Sequence, residues 1–498
     1  MYALTKSRIT TGLKCEKRLW FDVNDAIHKD THLFYLGNRF GDFAKKFYGE
    51  AFDLSGNLNA IDAIEKTQQA LLDPSVTIIY EAAFLFESTL VRTDVLIRRT
   101  NGWDMVEVKS SSNVQDNHVI DAAVQAYIAR ANGLKINKII IAHINKEFFY
   151  SEKNDYNGLL IEVDVTDAVN LKVENVKPWI NSLLPVASKG SEAPEVVIGD
   201  QCGSGPNTCP YISRCSASLE LPEVPISILP NIGKRLSKEW SPRGIHDLRE
   251  LPAEALSNFT HKKIQQAHIE GKDWVSEELV EQINNFKWPR FFMDFETTIQ
   301  GVPLVKGTRP KERLAFQWSI HRWDGPDQEL KLEDGNSFLE FTGDELEKRF
   351  LLDLIDALGT DGPIFAHNAV FETGLLAELS KRGSCADLKP EIDAIIARVV
   401  CTLKLARSGF YSTQMRGSYS LKDIVKAVPN CLNYEGEKTD NGAEVTNGDE
   451  AMIAWFKCTD NNLSESEKNI IKTNLKKYCA QDTLNLYHFF QYIINYDK

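Results

Sequence analysis

Asp294 and Glu296 in FFMDFETT stand two apart at the end of an apolar run. On a strand that spacing puts both carboxylates on one face. Two carboxylates on one face at the end of a buried strand are costly unless they meet cations. Two later segments carry matching chemistry. FAHNAVFE ends a strand and opens a helix with Glu372 near its start, and KYCAQDTLNLY places Tyr478 and Asp482 four apart on one helix face. Four carboxylates from three distant segments can hold two divalent ions about 4 Å apart, one activating water and the other stabilising a leaving oxygen. Tyr478 can orient the attacking water. Each piece alone carries little weight, because D-x-E is common and Y-x3-D on a helix is usually surface; the ordered set is the signal. His367 and Asn368 fit better as residues that order the turn or line the site than as ligands.

A second set lies in the first half. Glu107 and Lys109 are two apart on one strand, and Asp94 sits across a hairpin from them, so the three side chains can converge. Two carboxylates bind a divalent cation such as Mg²⁺ or Mn²⁺, and the neighbouring ammonium can orient or help deprotonate a water attacking a phosphodiester. Glu81, on the preceding strand, can add a ligand or position a water. A third set is made of sulfur. Cys202, Cys209 and Cys215 fall within fourteen residues, separated by the turn-forming GSGPNT, and Cys15 is the only other cysteine before residue 385. A fourth ligand from Cys15 would tie the two ends of this half together. Four thiolates suit zinc or an iron–sulfur cluster, and spacing alone does not choose between them.

The order D-x-E, H-N-x3-F-E, Y-x3-D-T over residues 288–498 resembles the DEDD exonucleases of the DnaQ-like, ribonuclease H-fold superfamily, in the variant with Tyr in the third motif. SYSLKDIV, after the second motif, is similar to that family too. Glu372 stands where Asp is usual. The resemblance implies a 3′–5′ exonuclease with Asp294, Glu296, Glu372 and Asp482 as metal ligands and Tyr478 beside them. The order Asp94, hairpin, Glu107-Val-Lys109, then a helix with Gln125 resembles the PD-(D/E)XK nucleases in their RecB/AddB-like branch. There a Gln and a Tyr on that helix help hold the nucleic acid and the active site. Gln125 fits the Gln, and Tyr127 follows two residues later. A His common earlier in that branch has no counterpart in GNRFGDFAKK. GLKCEKRLW and CPYISRC look like the cysteine elements of RecB/AddB-like iron–sulfur nucleases, including CRISPR-associated ones. That likeness implies a [4Fe–4S] cluster on Cys15, Cys202, Cys209 and Cys215, as a structural staple, with Zn²⁺ as the alternative. Together the likenesses point to a bacterial family fusing the two nucleases.

The elements that must position these residues follow from hydrophobic period. TIIYEAAFLF, LVRTDVLIRR and WDMVEVKSS read as successive strands, with Asn101-Gly102 as the turn between the last two. HVIDAAVQAYIARANG reads as a helix and KIIIAHI as a strand. RFFMDF, LAFQWSIHRW and GPIFAHN are expected strands; EKRFLLDLIDAL and FETGLLAELSKR are expected helices. A long helix follows Ser464, whose pairing with Glu467 predicts a capping box. The 498 residues favour two or three domains. The expected division is 1–220 for the PD-(D/E)XK restriction-endonuclease-like α/β module with its cysteines, 221–287 for a helical connector, and 288–498 for the ribonuclease H-like α/β module. In the connector, LPNIGKRL and RGIHDLRELP look like a helix-hairpin-helix element whose turn and Lys234 offer a phosphate site, with a plain helical linker as the equal alternative.

Composition sets outer bounds. Hydrophobic content of 43% and charged content of 26% are those of an ordinary globular chain. A net charge of −13 excludes a uniformly basic nucleic-acid coat but not a local basic surface, and residues 1–50 hold nine Lys/Arg against six Asp/Glu. No apolar run reaches the roughly 18 residues of a membrane span. The N-terminus lacks a secretory apolar stretch, which makes a cytoplasmic location the default. The other five cysteines read as small buried hydrophobes. The expected function is metal-dependent hydrolysis of nucleic acid, DNA before RNA, in repair, recombination or defence. The alternatives are a 3′–5′ exoribonuclease, or a single-site exonuclease whose N-terminal half is a non-catalytic iron–sulfur binding platform.

Overall fold

A computed structural model describes residues 2–27, 31–56, 58–203, 208–217, 222–328, 330, 336–432, 445–460 and 463–496. Most of GSGPNT, at 204–207, lies outside them. The chain is mixed α/β, built around two large sheets.

The first sheet has seven strands: β1 (Leu4–Thr5), β2 (Phe52–Asp53), β3 (Ile78–Phe86), β4 (Thr89–Arg99), β5 (Gly102–Lys109), β6 (Ile136–Ile144) and β7 (Leu160–Asp164). Their order is β2-β3-β4-β5-β6-β7, with β1 added against β4. β3, β4 and β5 are antiparallel neighbours joined by short turns, whereas β5 and β6 are parallel. A parallel step needs a crossover, and the helix Asp116–Ala131 supplies it. Nine of that helix's residues are buried, because it packs between the sheet and the helix Thr166–Leu183. The turn between β4 and β5 is Thr100-Asn101, one residue earlier than expected, since Gly102 already pairs with Arg99. Gly102 is required for another reason: at φ 146° its missing Cβ would stand 2.5 Å from the Lys135 carbonyl.

The second sheet has five strands, β9 (Arg290–Ile299), β10 (Arg313–Trp323), β11 (Ser337–Leu339), β12 (Ile364–Ala366) and β13 (Val399–Cys401), ordered β11-β10-β9-β12-β13. The first three run antiparallel, and β12 and β13 join in parallel. One face is covered by the helices Leu346–Leu358, Val370–Leu379 and Lys389–Arg398 through Phe295, Trp318, Phe350 and Leu376. The long helix Glu465–Ile494 lies against β9 and β10. It opens with the predicted capping box: Ser464 Oγ accepts from the Glu467 N–H at 3.3 Å and Glu467 accepts from the Ser464 N–H at 2.8 Å.

The connector is not a free linker. Val224, Leu236, Ile264 and Ile283 share one apolar core with Phe292, Phe365, Phe410 and Phe490 of the last region. The short strands β8 (Trp274–Val275) and β14 (Phe410–Tyr411) pair across the same boundary. LPNIGKRL gives one helix, Gly233–Trp240, but RGIHDLRELP gives only 3₁₀ turns. The Ile232 and Gly233 N–H groups already donate to the Pro230 and Leu229 carbonyls, so the turn offers a phosphate less than the sequence implied. The first and last regions also meet. Arg39, on the helix His32–Tyr48, donates to the Phe456 carbonyl and to Thr459 Oγ1, and Tyr156 donates to the Pro303 carbonyl at 3.0 Å.

Candidate functional site

β9 is buried along most of its length, and Asp294 and Glu296 lie on it. Opposite them β10 carries an extra residue, the register slipping between Ala315 and Gln317. Such bulges re-aim side chains beside a site. The helix that brings Asp482 is clamped to β10. Gln317 Nε2 donates to the Leu475 carbonyl at 2.7 Å, and His321 Nδ1 and Thr483 Oγ1 are 2.7 Å apart. Cys479 Sγ lies 3.6 Å from the Asp294 carbonyl. The result is convergence: one carboxylate oxygen each from Asp294, Glu296 and Asp482 lie within 4.8 Å of one another. Residues separated by almost two hundred positions thus offer three hard oxygen donors to one point, the donor type that magnesium, manganese and calcium take.

Electrostatics agrees with that reading of the donors. Burial, then the charges of Asp482, Glu296 and Glu372, holds the Asp294 carboxyl well above the usual carboxylate range. Burial, then Asp482, pushes Glu296 up to about 8. Like charges gathered out of water favour protons until a cation replaces them.

Glu372 stands slightly apart. It lies in the first turn of the helix Val370–Leu379, after the β12 turn, and its charge reaches Asp294 and Glu296, but it is not one of the three within 4.8 Å. Burial raises it to about 8, and among the described residues its Oε2 has no hydrogen-bond partner. His367 orders the turn, as expected. Its Nδ1 is 3.0 Å from Thr402 Oγ1 and its Nε2 2.9 Å from the Tyr419 carbonyl, and burial lowers its pKa to about 4. Asn368 takes the left-handed conformation, φ 58°, that lets the strand turn into the helix. Tyr478 lies one helical turn before Asp482, buried in a cluster with Val305, Leu314, Phe316 and Trp455. Lys422 of SYSLKDIV was not singled out from sequence; its charge acts on Glu296 against the carboxylates.

The first-half residues also converge. Asp94 accepts from the Val108 N–H at 2.7 Å, fixing the strand pair. Glu107, 1% exposed, accepts from Gln125 Nε2 at 2.6 Å and pairs with Lys109 at 2.8 Å. Lys109 also donates to Asp121 at 2.7 Å. Tyr127 turns away and donates to Glu87, so it takes no part here. Glu81 holds φ 57° in mid-strand, a strained conformation for a residue with a side chain, beside the same cleft of about 540 Å³. Two residues escaped the sequence reading. Asp121 sits four before Gln125 on the same helix, a spacing that signalled it. Lys6, whose Nζ is 2.8 and 3.1 Å from the two Glu107 oxygens and 3.5 Å from Asp94, had no local signal at all. Burial pushes Asp94 up to about 7, with Glu107 adding, whereas Lys6 and Lys109 outweigh burial and hold Glu107 down at about 2.

The four cysteines face one small, mostly apolar-lined cavity, together with Phe21, Val196 and Tyr211. The thiols of Cys209, Cys15 and Cys202 all act on Cys215, whose pKa burial raises. The two ends of the first half are joined by other contacts. Phe21 stacks on Tyr211 at 4.8 Å, Tyr211 donates to Asp22 at 2.6 Å, and Trp20 donates to the Ser191 carbonyl. Among the described residues no three of these sulfurs lie within 4.8 Å of one another. A zinc tetrathiolate with 2.3 Å bonds has sulfurs roughly 3.8 Å apart.

Residues 291–420 match the family described as a domain of unknown function, DUF2779. The matched span includes Asp294, Glu296, His367, Glu372 and Tyr419, and ends before Lys422 and the helix of Asp482. No curated protein matches the chain. Among the described residues, no helix is long and apolar enough to cross a membrane.

Proposed function

We propose that this chain is a divalent-metal-dependent nuclease with two separate hydrolytic sites. The C-terminal one is read as a DEDD-type 3′–5′ exonuclease on a ribonuclease H-like fold. The observation that carries it is the convergence of Asp294, Glu296 and Asp482 within 4.8 Å on a sheet ordered β11-β10-β9-β12-β13, three antiparallel strands followed by two parallel ones. Divalent ions bound there would supply a more acidic water and charge neutralisation at the leaving oxygen. Asp294, Glu296 and Asp482 would hold them, Glu372 would add negative charge from the adjoining helix, and Tyr478, one turn away, would orient water.

The N-terminal module is read as a RecB/AddB-like PD-(D/E)XK nuclease. Its support is Asp94, Glu107 and Lys109 on adjacent strands, Gln125 on the crossover helix bonded to Glu107, and the parallel β5–β6 step after it. Asp94 and Glu107 would hold the metal, and Lys109, tethered by Asp121, would orient the nucleophile. Cys15, Cys202, Cys209 and Cys215 line one cavity and would hold a metal centre; the likeness of their sequence elements to iron–sulfur nucleases makes a [4Fe–4S] cluster the reading, with Zn²⁺ as the alternative. Nucleic acid, DNA before RNA, is the substrate class.

The test is a Mg²⁺- or Mn²⁺-dependent assay on end-labelled single- and double-stranded DNA and matched RNA. Asp294→Ala should remove stepwise release from 3′ ends, and Lys109→Ala should remove the remaining cleavage. A double variant that cuts as well as wild type sinks the proposal.

A further inference from the structure

Lys6 belongs to none of the sequence motifs, yet its ammonium lies where Asp94 and Glu107 converge. Its backbone is fixed on both sides. β1, just before it, pairs with β4 opposite Thr89 and Leu90, and Thr5 caps the helix Lys6–Lys14 by accepting from the Arg8 N–H at 3.2 Å. An ammonium has three N–H donors and no acceptor. Here those donors meet both Glu107 oxygens and Asp94 Oδ1. The other Asp94 oxygen is engaged by the Val108 N–H, and Gln125 takes a second bond on Glu107.

Lys109 does not share this position. It bonds Glu107 from one side and Asp121 from the other. The charged groups around the point are Asp94 and Glu107 themselves, Glu81, Asp121 and Asp42 beside them, and Lys6, Lys109, Lys45 and Arg92 of opposite sign. The Lys6 side chain is 21% exposed and lines the open cleft.

We propose that Lys6 is a resident counter-cation that a divalent ion must displace from Asp94 and Glu107, and that it thereby sets metal affinity at the N-terminal site. This rests on the reading of Asp94 and Glu107 as metal ligands. Its consequence is that the two carboxylates are kept together and neutralised by the chain itself, at the cost of weaker metal binding.

The test measures Mn²⁺ binding to the full-length protein carrying Asp294→Asn, so that the C-terminal carboxylates contribute less. Asp94→Asn identifies the N-terminal binding event. Lys6→Met should bind Mn²⁺ there about tenfold more tightly or better, roughly what one charge-assisted hydrogen bond is worth, and Lys6→Arg should stay near wild type. Equal or weaker binding by a folded Lys6→Met overturns the exchange while leaving the metal site standing. Absence of any Asp94-dependent binding in all forms overturns both readings. A second measurement needs no variant at Lys6: Mn²⁺ should raise modification of Lys6 by an amine-reactive reagent several-fold, read by peptide mass spectrometry. Unchanged or reduced modification with Mn²⁺ bound overturns the proposal.

Discussion

Glu372 is the buried carboxylate whose removal should stabilise the protein. Its side chain is buried, 3% exposed, and among the described residues one of its oxygens has no hydrogen-bond partner. Burial raises its pKa from 4.5 to about 8, with its own backbone N–H and Arg313 opposing. The folded chain therefore keeps a proton that the unfolded chain releases, and stability falls as pH rises. The loss is absent below about pH 4.5, grows through neutrality and is complete above about pH 8. Each pH unit crossed costs about 1.36 kcal/mol, so roughly 3 kcal/mol is missing by pH 7 and about 5 kcal/mol by pH 8 and above. Glu372→Gln keeps the shape and never ionises. In the presence of a chelator it should be more stable than wild type by about that margin at pH 8, with little difference at pH 5. Trp318, Trp323 and Trp455, all fully buried in the C-terminal region, report its unfolding by fluorescence. Adding Mn²⁺ should narrow the gap, because a nearby cation favours the charged form of Glu372 and only wild type has that charge to stabilise. A Glu372→Gln protein that is less stable at pH 8, or a gap equal at pH 5 and pH 8, refutes the account of Glu372 as an uncompensated buried charge.

Other outcomes follow from the same geometry. Asp294→Asn should lower kcat for 3′-end release by about a hundredfold or more, as expected when a metal ligand worth several kcal/mol in the transition state is lost; rates within a few-fold of wild type would count against the site. His367 is held near pKa 4 by burial, so the rate between about pH 6 and 8 should carry no step from its titration, and His367→Ala should lower the rate without moving the pH profile. If the four cysteines hold a cluster as proposed, Cys15→Ser should reduce bound metal in metal analysis and lower the melting temperature of the N-terminal region, because the Cys15 and Cys202–Cys215 elements meet only in the fold. Gly362 has φ 84° and its missing Cβ would stand 2.0 Å from the Pro289 carbonyl; Gly362→Ala should cost about 2 kcal/mol or more in denaturant unfolding.

Much of the architecture was legible before any coordinates. The apolar, β-branched and aromatic runs TIIYEAAFLF and LVRTDVLIRR, and the Ser464–Glu467 pair, are local signals, set by side-chain type and by which backbone groups a cap can satisfy. They gave β3, β4 and the long helix within a residue, and the i, i+2 spacing placed Asp294 with Glu296 and Glu107 with Lys109 on shared faces, while β9 runs four residues beyond the expected RFFMDF and β12 is shorter than GPIFAHN. The family resemblance of the ordered motifs named the partners Asp482 and Gln125, and Cys15 was the one other cysteine before residue 385. Tertiary structure decided what distance along the chain hides. Lys6 reaches Glu107 from 101 positions away, and nothing in MYALTKSRIT marks it, because a lysine's reach is fixed by where its helix docks. Glu372 sits beside rather than within the tight carboxylate group, since that depends on how the β12 turn aims one helix. The connector joined the C-terminal core because its apolar faces had to be buried against something, and sequence alone shows the faces without their partner. The carboxylates of Asp294 and Glu296 were thus given by their spacing, and their convergence with Asp482 by the packing of a helix nearly two hundred residues away.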